Sequence, residues 1–124
     1  MTTSEIATVL AWHDALNDQD LDTLVALSSA DIDVAAPDHA VQGHDALLDW
    51  ARSAGITVVP GRMYIRGGVV VVEQNITRAG DPGTSTTAAS AFRVVHDQVT
   101  AVFRHHDLAS ALAATELTER DLDA

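Results

Sequence analysis

The sequence changes its hydrophobic period at Gly55. Before that residue, apolar side chains recur every three or four positions; after it, they alternate at every second position. A chain patterned this way makes helices first and an antiparallel sheet second, an α+β arrangement. In the helical part, Thr2 followed by Glu5 forms a capping-box pattern, and Ile6, Val9, Leu10, His13 and Leu16 make one apolar stripe. Asn17-Asp18-Gln19 interrupts the stripe, and Asp20 caps a second helix carrying Leu21, Leu24, Val25 and Leu27. Asp31-Ile32-Asp33-Val34 alternates as a short strand ending at Pro37. The spacing predicts a third helix over His44–Ala54, closed by Gly55.

Beyond Gly55, strands are expected at Ile56–Val59, Arg62–Arg66, Val69–Thr77, Thr86–His96 and Val99–His106. Gly67-Gly68 is a two-residue hairpin signal between the second and third of these. A short helix from Asp107 to Ala114 follows. The remainder, residues 116–124, reads as a flexible, solvated acidic tail or as a clasp on a partner subunit. No repeat, low-complexity tract or linker divides the chain, so residues 1–124 are expected to form a single domain.

Composition then removes whole classes of function. Hydrophobic residues make up 47 % of the chain, too many for a disordered polymer. Eighteen acidic residues oppose seven basic ones, a net charge of −11 that repels phosphate backbones and anionic lipid heads. Neither nucleic acid nor a membrane is therefore expected as a partner. All seven basic residues are arginine, which excludes lysine Schiff bases and lysine-dependent phosphate loops. The chain has no cysteine, hence no disulfide, thiolate nucleophile or sulfur-ligated metal. The start lacks the basic-then-apolar pattern of a signal peptide, and the run Val69–Val72 is too short to cross a bilayer, so a cytoplasmic location is expected.

Between residues 12 and 37 the chain places an aromatic, then Leu16-Asn17, Asp20-Leu21-Asp22, Leu24-Val25-Ala26-Leu27, Ala30-Asp31, Val34 and Pro37. With Gly43 before a helix, a turn at Asp97 and a last strand ending in Asp107, this pattern resembles the nuclear transport factor 2-like superfamily, which includes SnoaL-like and ketosteroid-isomerase-like domains. The resemblance implies a cone-shaped α+β barrel, with the N-terminal helices packed in a curved, mostly antiparallel sheet around an apolar cavity. It also implies a homodimer, with no cofactor. The expected function is a pocket that binds or transforms a small, largely apolar metabolite, by proton transfer, hydration or cyclisation. The alternative is a non-catalytic dimeric binding or assembly module of the same fold.

The superfamily's catalytic positions carry over unevenly. The tyrosine on the first helix of ketosteroid isomerases is matched by Trp12, which can donate one hydrogen bond but cannot titrate. Their proton-shuttling aspartate is matched by Ala36, and their third acid falls near Ala89. The middle-strand Arg/Asp pair of the epoxide hydrolases meets Glu73-Gln74-Asn75-Ile76 instead. Asp107 is the one catalytic position that the resemblance preserves.

Strand alternation groups Val99, Ala101, Phe103 and His105 on one apolar face, with Asp107 in phase. Asp107 is accordingly a candidate general acid/base with a pKa raised by desolvation, and His105 its partner. The competing reading makes Asp107 a helix cap and His105 a rim residue. Asp38 and His39 follow Pro37 at the expected cavity mouth, as a proton-shuttling pair or as turn formers. Trp12, Trp50, Met63, Tyr64 and Phe103 are candidate pocket-lining residues, or core. His13, on the helical stripe, reads as a satisfied core histidine, and Arg93 as a buried partner of an acid such as Glu73 or a solvent-facing residue. His105 and His106 point to opposite faces of a strand and no His-Glu-x-x-His is present, so no metal site is expected.

Overall fold

The structure, a computed structural model, describes residues 2–36, 39–78 and 80–123. Two helices, α1 (Thr2–Asn17) and α2 (Leu21–Ala26), precede strands β1 (Ser28–Ala36) and β2 (His39–Gln42). Helix α3 (His44–Ala54) leads into β3 (Ile56–Arg66), β4 (Val69–Arg78), β5 (Asp81–Val95) and β6 (Gln98–His105). The chain closes with α4 (Leu108–Thr115) and a 3-10 turn, Glu119–Asp121. The strands form one open mixed sheet in the order β2-β1-β6-β5-β4-β3. Every pairing is antiparallel except β1 with β6. This is the expected cone-shaped α+β architecture.

Local chemistry explains most of these elements. Helix α3 has the predicted boundaries because Gly55 takes a left-handed φ of 57° at its C-cap. Gly67 and Gly68, at φ 59° and 82°, supply the positive φ pair that a tight hairpin demands. Pro60-Gly61 does not divide β3 in two: a bulge between Pro60 and Met63 absorbs it, and pairing with β4 continues on both sides. Asn17, expected only as a breaker, clamps α1 to the sheet. Its amide donates to the Val58 carbonyl at 2.7 Å and accepts from the Val58 N–H at 2.8 Å.

The main core lies on the concave face, where Val9, Trp12 and Leu16 of α1 meet Val70, Val72, Phe92, Val94 and Val102 of the sheet. Leu10, expected in the α1 stripe, is exposed instead. A second cluster lies on the convex face, where α4 and Leu117 cover Tyr64, Val71, Ala89 and Ala91. Residues 116–123 lie against the convex side of β3. The Asp123 N–H donates to the Met63 carbonyl at 2.8 Å, Leu122 bridges to Tyr64, and Arg66 donates to the Glu116 carbonyl. Leu117 is buried, which removes its apolar side chain from water and favours this docked arrangement.

One irregularity decides which residues face the helices. In the β5–β6 ladder, Val94 pairs with Val99 but Arg93 pairs with Ala101, so Thr100 is an extra residue. The bulge inverts the alternation beyond it. Val99 and Val102 face the concave core, while Ala101, Phe103 and His105 line a groove on the other side. The expected grouping of Val99 with Ala101, Phe103 and His105 is corrected accordingly.

Candidate functional site

The concave face leaves a cavity of about 750 Å³ open between α3 and strands β3 to β6. Trp50 from α3 and Ile56 and Ile76 from the sheet form its apolar walls; Gln74 and Ser90 form a polar floor; Arg78, Arg104 and His106 line it as well. No carboxylate is among its described lining residues. The inner end of the cone is shut. Trp12 stacks on Trp50 with ring centroids 6.2 Å apart and meets Phe92 edge-on at 5.3 Å. The void left there, about 10 Å³, is no roomier than one water needs. The Arg104 guanidinium sits over the outer face of Trp50, 5.5 Å from the ring centroid, a cation–π contact that holds its charge at the cavity wall.

Beneath the floor runs a buried polar chain. His13 is 1 % exposed, and its Nδ1 lies 2.8 Å from the Val9 carbonyl one turn back on α1. A carbonyl only accepts, so Nδ1 carries the proton. Burial pushes the imidazole pKa below its ordinary value, against smaller opposing effects of the Val9 hydrogen bond and the Asp14 charge. The neutral ring therefore accepts at Nε2, where Gln74 Nε2 donates at 2.9 Å. That orients the amide so that Gln74 Oε1 accepts from Ser90 Oγ, also at 2.9 Å.

The expected site residues scatter around this centre. Trp50 lines the cavity, but Trp12 closes its inner end and spends its indole N–H on Ser28 Oγ at 3.0 Å. Met63 is core on the concave side, whereas its neighbour Tyr64 points to the convex side, 0 % exposed beneath α4 and the tail. Burial, and then the charge of Glu119, raise the Tyr64 pKa above its ordinary value. Phe103 is 44 % exposed in the convex groove, and His105 borders both that groove and the cavity.

Asp107 is exposed and caps α4, accepting from the Ser110 N–H at 2.8 Å. The backbone and side-chain hydrogen bonds of Ser110 hold its carboxyl below the usual value of 3.8, opposite to the shift expected of an acid/base. His39 pairs through its backbone with Ala36, its side chain lies outside what the structure describes, and Asp38 lies outside the described residues. Arg93 is exposed, and Glu73 instead pairs with Arg62. Gln74, Ser90 and Arg104 were not singled out by sequence reasoning. The available signal was phase: Gln74 is in step with Val70 and Val72, and Ser90 with Phe92, so each is a polar residue at a core position.

The SnoaL-like domain family matches residues 9–102. The chain belongs to this SnoaL-like family. Among curated proteins no relative matches it. Solved structures of the SnoaL-like chain's shape are numerous. A nuclear transport factor 2-like protein of unknown function from Cytophaga hutchinsonii superposes with a TM-score of 0.73 at 16 % identity, over 83 % of this chain and 89 % of that one. One from Burkholderia pseudomallei gives 0.71 at 18 % identity, over 89 % and 95 % of the two chains. An LEH-like epoxide hydrolase from M. tuberculosis gives 0.72 at 21 % identity, over 92 % and 96 %. At these identities the likeness shows a shared fold. Among the described residues of this SnoaL-like chain, no helix is long and apolar enough to cross a membrane.

Proposed function

We propose that this SnoaL-like chain binds a small, largely apolar metabolite in the concave cavity. One observation carries the reading: about 750 Å³ of open space, walled by Trp50, Ile56 and Ile76, over a floor holding fixed polar groups. A transformation by proton transfer, hydration or cyclisation would work through Ser90, Gln74, Arg104 and the rim histidines, which line the cavity where Asp107 does not. Trp50 is the natural reporter. Titration of bicyclic aromatic compounds should change its fluorescence saturably in the wild type, and Trp50→Leu should abolish the change; no saturable change with any such compound would sink the reading.

A homodimer is the second part of the proposal, favoured by the groove of about 740 Å³ on the convex face. Half-exposed Phe103 lies there between Asp31 and Asp33 on one side and Arg93 on the other, an arrangement able to pair with a twofold copy of itself. Sedimentation should show a dimer at micromolar concentration that Phe103→Asp dissociates. A wild-type monomer would refute it.

A further inference from the structure

We propose that Ser90 is a specificity-determining residue that selects ligands carrying a hydroxyl or N–H donor at their buried end, such as a phenol or an enol. The proposal rests on the cavity being a ligand pocket, and deepens that reading.

The direction of the buried chain carries the argument. The Val9 carbonyl can only accept, so His13 donates to it through Nδ1. The neutral ring then has one lone pair left, at Nε2, and Gln74 must present its amide nitrogen there. An amide with its nitrogen so committed turns its oxygen to Ser90, and Ser90 must donate. Each step leaves the next no choice. The hydroxyl proton of Ser90 is therefore already used inside the wall, and what Ser90 offers the cavity it lines is lone pairs alone. A ligand hydroxyl placed against Ser90 completes the chain, whereas a carbonyl placed there meets an oxygen with no proton to give. His13 and Gln74 act as positioning residues, since neither needs to touch the ligand to set the polarity that Ser90 displays. The aromatic walls at Trp50 and the sealed inner end bring a flat ligand's edge to this floor rather than deeper.

Three probes of one shape test this: 2-naphthol, which donates; 2-methylnaphthalene, which does neither; and 2-naphthaldehyde, which only accepts. Their dissociation constants are measured by NMR titration of the wild type, Ser90→Ala and Gln74→Met. In the wild type, 2-naphthol should bind about tenfold tighter than 2-methylnaphthalene, the worth of one good hydrogen bond. Ser90→Ala should bring that ratio close to one while 2-methylnaphthalene still binds. Gln74→Met, which frees the Ser90 proton, should improve 2-naphthaldehyde relative to 2-naphthol by severalfold, a change that a merely structural role would not produce. Equal wild-type binding of 2-naphthol and 2-methylnaphthalene, or a preference that survives Ser90→Ala, overturns the assignment of Ser90 while leaving the pocket intact. If none of the three binds, the pocket reading falls and this one with it.

Discussion

The side-chain nitrogen of Gln74 on β4 lies 2.9 Å from Nε2 of His13 on α1, across 61 residues of sequence. This bond joins the helical layer to the sheet through a neutral imidazole. Protonating that imidazole would aim an N–H at an amide N–H₂, so the arrangement is stable only while His13 is uncharged.

A pH dependence follows, with a definite sign. The folded pKa of His13 is depressed below its ordinary 6.5, so the unfolded chain binds the proton more readily. His13 thus contributes stability above pH 6.5, and that contribution shrinks as the pH falls below 6.5 towards the folded pKa. Urea unfolding of the wild type should show the midpoint dropping over this window. In His13→Leu the dependence should flatten, although the variant is less stable at neutral pH by roughly 1–3 kcal/mol because Gln74 loses its acceptor. An unchanged slope in His13→Leu would show that another group governs the transition.

Asp107 should behave as a cap and nothing more. Its carboxylate holds the Ser110 N–H at the start of α4, a task that asparagine performs as well and alanine cannot. Thermal unfolding should therefore place Asp107→Asn near the wild type and Asp107→Ala clearly below it. Neither should alter the affinity of a ligand bound in the cavity. A loss of binding in Asp107→Asn would return this residue to the site.

The tail should protect Tyr64. Its hydroxyl lies 3.4 Å from both Glu119 carboxylate oxygens, and residues 121–123 lie along β3 through the Arg66–Asp121 pair, the Leu122 bridge and the Asp123 N–H. Deleting residues 119–124 removes part of the cover, leaving α4 and Leu117 in place, and takes away the acidic neighbour; burial and the Glu119 charge are the two largest causes that raise the phenol's pKa. Ultraviolet titration should find Tyr64 ionising closer to its ordinary value of 10 in the truncated chain. Stability should fall as well. A phenol titration identical in the two chains would mean that the tail does not seat against Tyr64.

Much of the fold was legible because the signals are local. The α3 helix needs only its own apolar spacing and Gly55; the β3–β4 hairpin needs only Gly67-Gly68 between alternating strands. The site was less legible. Gln74 and Ser90 look like ordinary polar strand residues until β4, β5 and α1 are packed together and join them to one another and to His13. His13 itself reads correctly as a satisfied core histidine, but its partners lie too far along the chain for any spacing to name them.

By itself, the order of hydrophobic periods determined that the chain begins in helices and that the segment after Gly55 is a run of antiparallel strands, and the absence of lysine and cysteine determined which chemistries this chain does not carry. Both are properties of residues and their neighbours. Which face of β6 meets the helices was decided only in the tertiary structure, by the extra residue Thr100 in its pairing with β5. A one-residue slip reverses every side chain beyond it, and such a slip is settled by the partner strand rather than by the strand's own sequence. That reversal moved Phe103 and His105 out to the convex groove and put Arg104 beside Trp50 in the cavity.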